Sequence, residues 1–424
     1  MQDKFLIKGG VNLAGEVEIS GYKNSAGACL SAVLLSKEPS IIDNLPLVSD
    51  VADQIKILER MGAKVEWINQ RKVKIDPENI DPEKIPLDLF EKMRVSVLLI
   101  GPLLARFKKI KVPHPGGDKI GLRPISTHIE ALKEFGVRVE EKDGFYHFEV
   151  PDNLEGQKIV LKEFSVTATE ILMMFAASIR GETKIELAAA EPQVQDLGIL
   201  LNKMGAQVEG IGNHTITITG VEKLNGAEFK ICPDLLEAGT FMIAFALTNG
   251  IGRIKNINSR HMSLFLKIMK IIGVNFKIVE NDSGSEDILM EPSNKFSPAI
   301  VQVLPYPGFP TDLQPQTSVL LTQAEGKSLI HDPLYENRFQ HLHELRKLGA
   351  DIEITDPHRA LIFGKKELIG NKINTSDIRS GAALILAALA AKGESIIENI
   401  SQIERGHENI ELKLKKLGAQ IEKI

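Results

Sequence analysis

The chain has 424 residues, of which 43% are hydrophobic and 25% are charged, and its formal net charge is −5. This composition is typical of a globular protein, and the length exceeds what one ordinary core holds, so we expect two domains. The negative net charge argues against a nucleic-acid-binding protein, and two cysteines without a CxxC pattern, Cys29 and Cys232, argue against a disulfide framework or a thiolate metal site.

The apolar runs of the chain are short. The longest, residues 95–105 and 381–391, fall well below the ~18 residues that a membrane-spanning helix needs. The N-terminal residues lack the pattern of a signal peptide. We therefore expect a cytoplasmic protein that has no membrane or nucleic-acid partner.

One local pattern recurs six times: a predicted helix ends, a glycine follows, and a short strand of alternating apolar and charged residues begins. The glycines are Gly62, Gly136, Gly205, Gly273, Gly349 and Gly418, at intervals of 74, 69, 68, 76 and 69 residues. A left-handed glycine ends a helix without a Cβ penalty, and the alternation after it predicts a half-buried strand. A period this regular indicates an internal repeat of mixed α/β units.

Each unit also begins in a similar way. A helix rich in small apolar residues comes first, as at 240–247 and 380–391, and a glycine-led strand follows, as at 252–257 and 393–398. After a loop comes an amphipathic helix such as 409–417. Because small residues permit close packing, we place the first helix of each unit inside a domain and the second helix outside. Six units fit two domains of three units each.

Arginines lie at equivalent loops of the repeat. Arg123, Arg260 and Arg405 each precede the repeat glycine of their unit by 13 residues, and Arg338 precedes its glycine by 11. At the predicted starts of the inner helices lie Lys23, Asn24, Arg94, Ser165, Val166, Thr167, Asp312, Asp377 and Arg379.

Helix N-termini favour anions, and arginine suits phosphate and carboxylate groups. If the two domains face each other, these loops line a cleft for a small substrate with several negative charges. The alternative for any single arginine is a surface position at the start of an outer helix, and for Arg260 we favour that alternative.

Other site patterns are weak. The chain has no GxGxxG motif and no Walker loop, so a dinucleotide site or a P-loop is not supported. His341 and His343 are two residues apart and so do not share a helix face, which argues against a metal site there.

Motifs at these same loops resemble the UDP-N-acetylglucosamine enolpyruvyl transferase family over the full length of the chain. They lie at residues 19–24, 93–94, 101–107, 115–124, 309–314, 336–339, 377–379 and 404–406, together with His128. The resemblance implies an inverted two-domain α/β fold with six βαβαββ-like units, three per domain. It also implies a first domain at 23–232, which carries a mobile catalytic loop at about 113–124, and a second domain formed by 1–22 and 233–424.

The resemblance implies transfer of an enolpyruvyl group from phosphoenolpyruvate to the 3-hydroxyl of UDP-N-acetylglucosamine, with release of phosphate, in peptidoglycan precursor synthesis. Asp312 would be the base on the sugar hydroxyl, Asp118 would hold the general-acid position in the loop, and Asp377 is a second acid or base candidate. Lys23, Arg123 and Arg405 would bind the phosphate of phosphoenolpyruvate. Arg338 and Arg379 would bind its carboxylate. No metal or organic cofactor is expected, because the cationic side chains neutralise the substrate charge.

The resemblance also assigns residues that would bind the nucleotide sugar. Asn24 and Arg94 would contact it, and Leu334 would lie near the ribose end. The uridine and diphosphate would be held by Arg123, Pro124, Ile125, Ser126, Thr127, Ser165, Val166 and Thr167.

The chain departs from the family at four places. Most members have cysteine where this chain has Asp118, which predicts fosfomycin resistance. On the nucleotide side, Thr167 replaces a glycine, Glu163 replaces a lysine, and Ser126 and Thr127 replace an Asp-Leu pair. These departures leave nucleotide affinity and identity open.

Two alternatives remain. One is a relative that transfers the enolpyruvyl group to a different nucleotide or sugar acceptor, including shikimate phosphate. The other is a catalytically dead paralogue that binds a UDP-sugar. Asp118, Asp312 and Arg405, which such a paralogue would be expected to lose, are all present.

Overall fold

The structure is a computed structural model, and it describes residues 3–117, 120–121, 124–281 and 284–424. These residues form two compact units. The first unit contains residues 21–117 and 124–232, and the second contains 3–20, 120–121 and 233–424. Ile120 and Gly121 thus group with the second unit, where the backbone N–H of Asn337 donates to the carbonyl oxygen of Ile120 at 3.1 Å.

The elements follow in chain order. The first are β1 (Phe5–Lys8), β2 (Ala14–Glu18), α1 (Lys23–Ala32), β3 (Ser40–Asp43), α2 (Ser49–Arg60), β4 (Lys64–Asn69), β5 (Lys72–Asp76), α3 (Leu87–Phe90), α4 (Ile100–Phe107) and β6 (Lys109–Pro113). Next come α5 (Ser126–Phe135), β7 (Arg138–Lys142), β8 (Phe145–Glu149), β9 (Lys158–Val160), α6 (Val166–Ala176), β10 (Glu182–Glu186), α7 (Pro192–Lys203), β11 (Gln207–Glu209), β12 (Thr215–Thr219) and β13 (Glu228–Lys230).

The remaining elements lie in the second unit. They are α8 (Leu235–Leu247), β14 (Ile251–Ile257), α9 (Ser263–Ile272), β15 (Phe276–Glu280), β16 (Glu286–Met290), β17 (Ile300–Gln302), α10 (Gln314–Thr322), β18 (Gly326–His331), α11 (Gln340–Lys347) and β19 (Asp351–Asp356). The chain continues with β20 (Arg359–Gly364), β21 (Lys372–Asn374), α12 (Ile378–Ala390), β22 (Glu394–Glu398), α13 (Ser401–Glu404), α14 (Ile410–Lys416) and β23 (Gln420–Lys423). Short 3₁₀ helices include Arg94–Leu99 and Thr311–Leu313.

The βαβαββ unit is seen most simply in β9-α6-β10-α7-β11-β12. Its sheet has the order β11-β12-β10-β9, in which β10 runs parallel to β9 and antiparallel to β12. Ile185 of β10 faces Ile159 on one side and Ile216 on the other, so one face of the sheet is apolar. The described residues form six sheets, three in each unit: five have four strands, and the sixth, β6-β8-β7, has three antiparallel strands. This confirms the predicted fold class.

Three sheets use strands from distant parts of the chain. In the second unit, β1 lies between β22 and β23, and β2 lies parallel to β14. In the first unit, β13 pairs in parallel with β3. The N-terminal strands β1 and β2 therefore complete two sheets of the second unit. The strand β13, at the end of the first unit, completes the sheet that contains β3.

The repeat glycines have the predicted conformation. Their φ angles, in the order Gly62, Gly136, Gly205, Gly273, Gly349 and Gly418, are 111°, 107°, 104°, 100°, 95° and 94°. A residue with a Cβ is strained there, so the glycine fixes where each outer helix ends and the next strand begins.

The inner helices are buried and the outer helices are amphipathic, as predicted. All residues of α8 from Leu235 to Ala246 are buried. In the outer helix α9, Phe265, Leu266, Met269 and Ile272 face inward. Small residues set the inner packing distance: a Cβ on Gly239 would lie 2.8 Å from the Leu313 side chain. Each large apolar side chain buried here contributes about 1.5–3 kcal/mol to folding. The rigid inner helices hold the residues at their N-terminal ends in fixed positions.

Candidate active site

A cluster of carboxylates and guanidinium groups lies at the starts of helices in the second unit. Asp312 sits in the 3₁₀ turn that leads into α10, and Arg338 comes shortly before α11. Asp377 is the N-cap of α12, and Arg379 lies in the first turn of that helix. Because α10 and α11 both pack against α12, residues far apart in sequence meet here.

Asp312 bridges the two arginines. One oxygen, Oδ1, is 2.6 Å from an Nη atom of Arg338, and Oδ2 is 3.2 Å from Nε of Arg379. Arg338 also donates to the carbonyl oxygen of Thr311 at 3.2 Å, and its other Nη atom is 3.6 Å from Asp377. The side chain of Asp312 is 29% exposed, against 2% for Arg338 and 6% for Arg379. Asp312 is therefore the member of this group most open to a substrate.

Asp377 acts as a helix cap. It accepts the backbone N–H groups of Arg379 and Ser380 at 3.0 and 3.1 Å, and also the hydroxyl of Ser380. Burial alone would raise the pKa of Asp377, but Arg338 and these hydrogen bonds outweigh burial and lower it below 3.8. A carboxylate with a lowered pKa is a poor proton donor at neutral pH, so the geometry favours a positioning role over the acid role.

Arg338 keeps its charge in spite of burial. Burial alone would lower the pKa of Arg338, but the facing carboxylates of Asp312, Asp377 and Asp332 outweigh burial and raise this pKa above its usual value. The sequence predicts arginines and lysines with a few carboxylates among them, and in the second unit Asp312 pairs with both Arg338 and Arg379.

Arg405 and Leu334 lie nearer the surface of the second unit. Arg405 follows α13 and is half-buried, and its guanidinium donates to Gln402 at 3.1 Å. Leu334 is 43% exposed in the loop after β18. Arg260 is exposed, in line with the surface position favoured for it.

The candidate residues of the first unit also lie at helix starts. Lys23 begins α1, and its Nζ is 2.6 Å from Asp50 in the first turn of α2, with both side chains largely buried. Asn24 donates to the hydroxyl of Tyr22 at 3.1 Å. Arg94 begins a 3₁₀ helix and donates to the carbonyl oxygen of Pro124 at 3.1 Å.

The starts of α5 and α6 are linked by two side-chain hydrogen bonds. Thr127 donates to Glu163 at 2.6 Å, and His128 Nε2 lies 2.7 Å from the hydroxyl of Thr167. Ile125 precedes α5, Ser126 is its first residue, and Ser165 caps α6, which begins at Val166. The structure thus brings together the starts of α5 and α6, which carry five of the residues that the resemblance assigned to the uridine and diphosphate: Ser126, Thr127, Ser165, Val166 and Thr167.

Several buried acids near these residues were not predicted from the sequence: Asp50, Asp234 and Asp332. Asp234 is the N-cap of α8, where burial raises its pKa to about 6 in spite of the nearby Arg379. The repeat offered a signal for it, because Asp234 precedes an inner helix just as Asp377 does. Asp50 and Asp332 had no comparable signal.

Two of the predicted residues, Asp118 and Arg123, lie outside the described residues. The described ranges contain no group of three His, Cys, Asp or Glu side chains that could hold a metal ion. His341 is buried on α11, where burial lowers its pKa to about 3, whereas His343 is exposed. Within the same ranges, no helix combines the length and the apolar character needed to cross a membrane.

Comparison with known proteins gives consistent matches over the whole chain. Residues 7–414 match the family model described as EPSP synthase (3-phosphoshikimate 1-carboxyvinyltransferase). A protein of Coxiella burnetii named UDP-N-acetylglucosamine 1-carboxyvinyltransferase is 42% identical over 422 residues, which cover 100% of this chain and 96% of that protein. A protein of the same name from Halothermothrix orenii is 43% identical over 421 residues, covering 99% of each chain.

The crystal structure of the enolpyruvyl transferase NikO from Streptomyces tendae is similar to this fold with a TM-score of 0.90. The two chains are 24% identical, and the match covers 100% of this chain and 99% of NikO. At that identity, the similarity concerns the fold alone.

Proposed function

Because the chain belongs to the EPSP synthase (3-phosphoshikimate 1-carboxyvinyltransferase) family, and within it to the UDP-N-acetylglucosamine 1-carboxyvinyltransferases, we propose that it acts on phosphoenolpyruvate and UDP-N-acetylglucosamine. It transfers the enolpyruvyl group to the 3-hydroxyl of the sugar and releases phosphate. The product enters peptidoglycan precursor synthesis, and the protein works in the cytoplasm.

The reaction proceeds by addition and elimination. The sugar hydroxyl loses its proton as its oxygen bonds to C2 of phosphoenolpyruvate, while C3 gains a proton. The resulting tetrahedral intermediate then loses a proton from C3, the bond between C2 and the phosphate oxygen breaks, and phosphate leaves. The chemistry therefore requires a base, an acid and cations that hold a highly charged substrate.

The observation that carries the proposal is the position of Asp312, a partly exposed carboxylate between two largely buried guanidinium groups. Its Oδ1 accepts a hydrogen bond from Arg338, and its Oδ2 is paired with Arg379 at 3.2 Å. A carboxylate exposed in this way can accept a hydrogen bond from the sugar hydroxyl. We assign Asp312 as the base. The carboxylate of phosphoenolpyruvate, bound by Arg338 and Arg379, brings a like charge near Asp312 and so increases its affinity for a proton.

Most of the other assigned residues bind the two substrates. Lys23, Arg123 and Arg405 hold the phosphate, and Asp118 occupies the acid position. Asn24, Arg94 and Leu334 contact the nucleotide sugar, while residues 124–127 and 165–167 hold the uridine and diphosphate. The buried Asp50 supports Lys23 by fixing its ammonium group, since the two groups are 2.6 Å apart.

A different acceptor is the second candidate, and the Thr127–Glu163 hydrogen bond favours it. This bond places a carboxylate at the start of α5, beside the residues assigned to the anionic part of the nucleotide. A carboxylate there disfavours an anionic group close by. The test therefore includes acceptors that carry fewer phosphates or a different nucleobase.

The test is phosphate release by the purified chain on mixing phosphoenolpyruvate with UDP-N-acetylglucosamine. We expect release that requires both substrates, that is lost in Asp312→Asn, and that persists in Arg260→Ala. Release only with another nucleotide or sugar acceptor would support the second candidate. No release with any acceptor would refute the enzymatic function.

A further inference from the structure

We infer that Asp332 is a positioning residue that holds the turn carrying Asp312, together with Arg338, in the geometry of the reaction. The inference rests on the proposed function, because it explains how the proposed base is held. Asp332 follows β18 and is fully buried. Nothing in its sequence position marked it for this role.

The backbone of Asp332 is fixed by the neighbouring turn. Its N–H donates to the carbonyl oxygen of His358 at 2.8 Å, and its own carbonyl oxygen accepts from Nδ1 of the His358 ring at 2.8 Å. A residue held on both sides of its Cα keeps its side chain in one direction. The carboxylate of Asp332 is therefore a rigid anchor.

Both carboxylate oxygens of Asp332 accept hydrogen bonds. Oδ2 accepts the hydroxyl of Thr311 at 2.6 Å, and Oδ1 accepts the backbone N–H of Leu334 at 3.1 Å. An asparagine keeps one acceptor oxygen for one of these donors, but its amide group faces the other only as a donor, so Asp332→Asn removes a charge-assisted hydrogen bond. Only a carboxylate accepts from both groups at once.

Through Thr311 this anchor reaches the proposed catalytic group. Thr311 immediately precedes Asp312, and its carbonyl oxygen accepts from the same Nη atom of Arg338 that contacts Asp312. Asp332 thus fixes the Thr311 side chain, Thr311 fixes Arg338, and Arg338 fixes Asp312. The same carboxylate also fixes the backbone at Leu334, which is assigned to the nucleotide sugar.

Asp332 also contributes charge. Charged groups that face it include Arg338 and Asp312, and charged groups that face Asp312 include Arg338, Arg379 and Asp332. A negative charge near Asp312 makes it a stronger base. Removing the charge of Asp332 should therefore shift the acidic limb of the kcat–pH profile to lower pH.

The first experiment compares Asp332→Asn with Asp287→Asn. Asp287 is an equally buried aspartate of the second unit, and it accepts from Arg253 and from the backbone N–H of Asn256. Both variants should lose thermal stability. Only Asp332→Asn should also lose kcat, by roughly 10- to 100-fold for a lost hydrogen bond to a charged group, and shift the acidic limb.

The second experiment removes only the hydroxyl that Asp332 holds. Thr311→Val has nearly the same shape as the wild-type residue and should lose kcat without a shift of the acidic limb, whereas Thr311→Ser keeps the hydroxyl and should restore kcat. These variants keep the inference testable if Asp332→Asn does not fold.

The inference is overturned if Thr311→Val and Asp332→Asn both turn over within about twofold of the wild type. It is also overturned if Thr311→Ser is as impaired as Thr311→Val, or if Asp287→Asn shows the same kinetic changes. An active wild type with normal variants refutes only this inference. An inactive wild type refutes the proposed function and this inference together.

Discussion

Replacing Arg338 with alanine should destabilise the second unit far more than replacing any exposed arginine. The guanidinium is almost fully buried and contacts Asp312 at 2.6 Å and Asp377 at 3.6 Å. Its removal leaves the buried Asp377 without its charge partner, although Asp312 keeps its contact with Arg379. Breaking a buried pair by removing one partner typically costs about 3–5 kcal/mol.

Thermal unfolding measures this cost. For a unit of about 200 residues, each kcal/mol shifts the midpoint by about 2–4 °C, so we expect a decrease of roughly 6–20 °C. The matched control is Arg359→Ala, whose side chain is 59% exposed and pairs with Asp356 at 2.8 Å. Exposed pairs contribute at most about 1 kcal/mol. A midpoint for Arg338→Ala as close to the wild type as that of Arg359→Ala would refute the reasoning.

The pH dependence of thermal stability is a second test of the pairing between Arg338 and Asp377. Arg338 helps to lower the pKa of Asp377 below 3.8, so the stability that this pair contributes is present above that pH and is lost as the pH falls through the folded pKa. The difference between the wild type and Arg338→Ala should therefore narrow below a pH of about 4. A difference that stays constant through that window would show that Asp377 does not depend on Arg338.

Three further predictions test other residues. Arg405→Ala should lower kcat/KM by about 10- to 100-fold with little change in thermal stability, because it removes a charge-assisted contact to substrate, while Arg260→Ala should retain normal kinetics. Burial raises the pKa of Asp234 to about 6, so Asp234 retains a proton in the folded state between about pH 4 and 6. The stability of the wild type should therefore fall as the pH rises through that window. Asp234→Asn keeps the helix cap, and its stability, measured by unfolding at several pH values, should not show this fall. Asp118→Cys should stay active and form a fosfomycin adduct visible by intact-mass measurement, since a thiolate is the stronger nucleophile toward an epoxide; time-dependent inactivation of the wild type by fosfomycin would contradict this.

Much of the fold could be predicted because it depends on local physics. The conformation of a glycine at a helix end is decided within a few residues, so Gly62 and its equivalents marked all six helix-to-strand junctions. The buried character of α8 and α12 likewise follows from their runs of small apolar residues. The pairing of β13 with β3 was not predicted, because a three-residue strand has too short a pattern to show its partner.

The site was predicted less completely. The sequence located Asp312, Arg338 and Arg379 at helix starts, but it could not show that Asp312 bridges the two arginines, because that contact depends on how α10, α11 and α12 pack. Asp332 was missed for the same reason. Its partner Thr311 is 21 residues away, and the hydrogen bond exists only after β18 and α10 have come together.

The most direct test of the central claim is the identity of the product. The wild-type chain is incubated with phosphoenolpyruvate and UDP-N-acetylglucosamine, and the nucleotide sugar is analysed by mass spectrometry and by NMR of the sugar ring. We expect a UDP-sugar that carries one enolpyruvyl ether at the 3-oxygen, formed in equal amount with phosphate. Unmodified UDP-N-acetylglucosamine after phosphate release, or an enolpyruvyl group at another position, would contradict it.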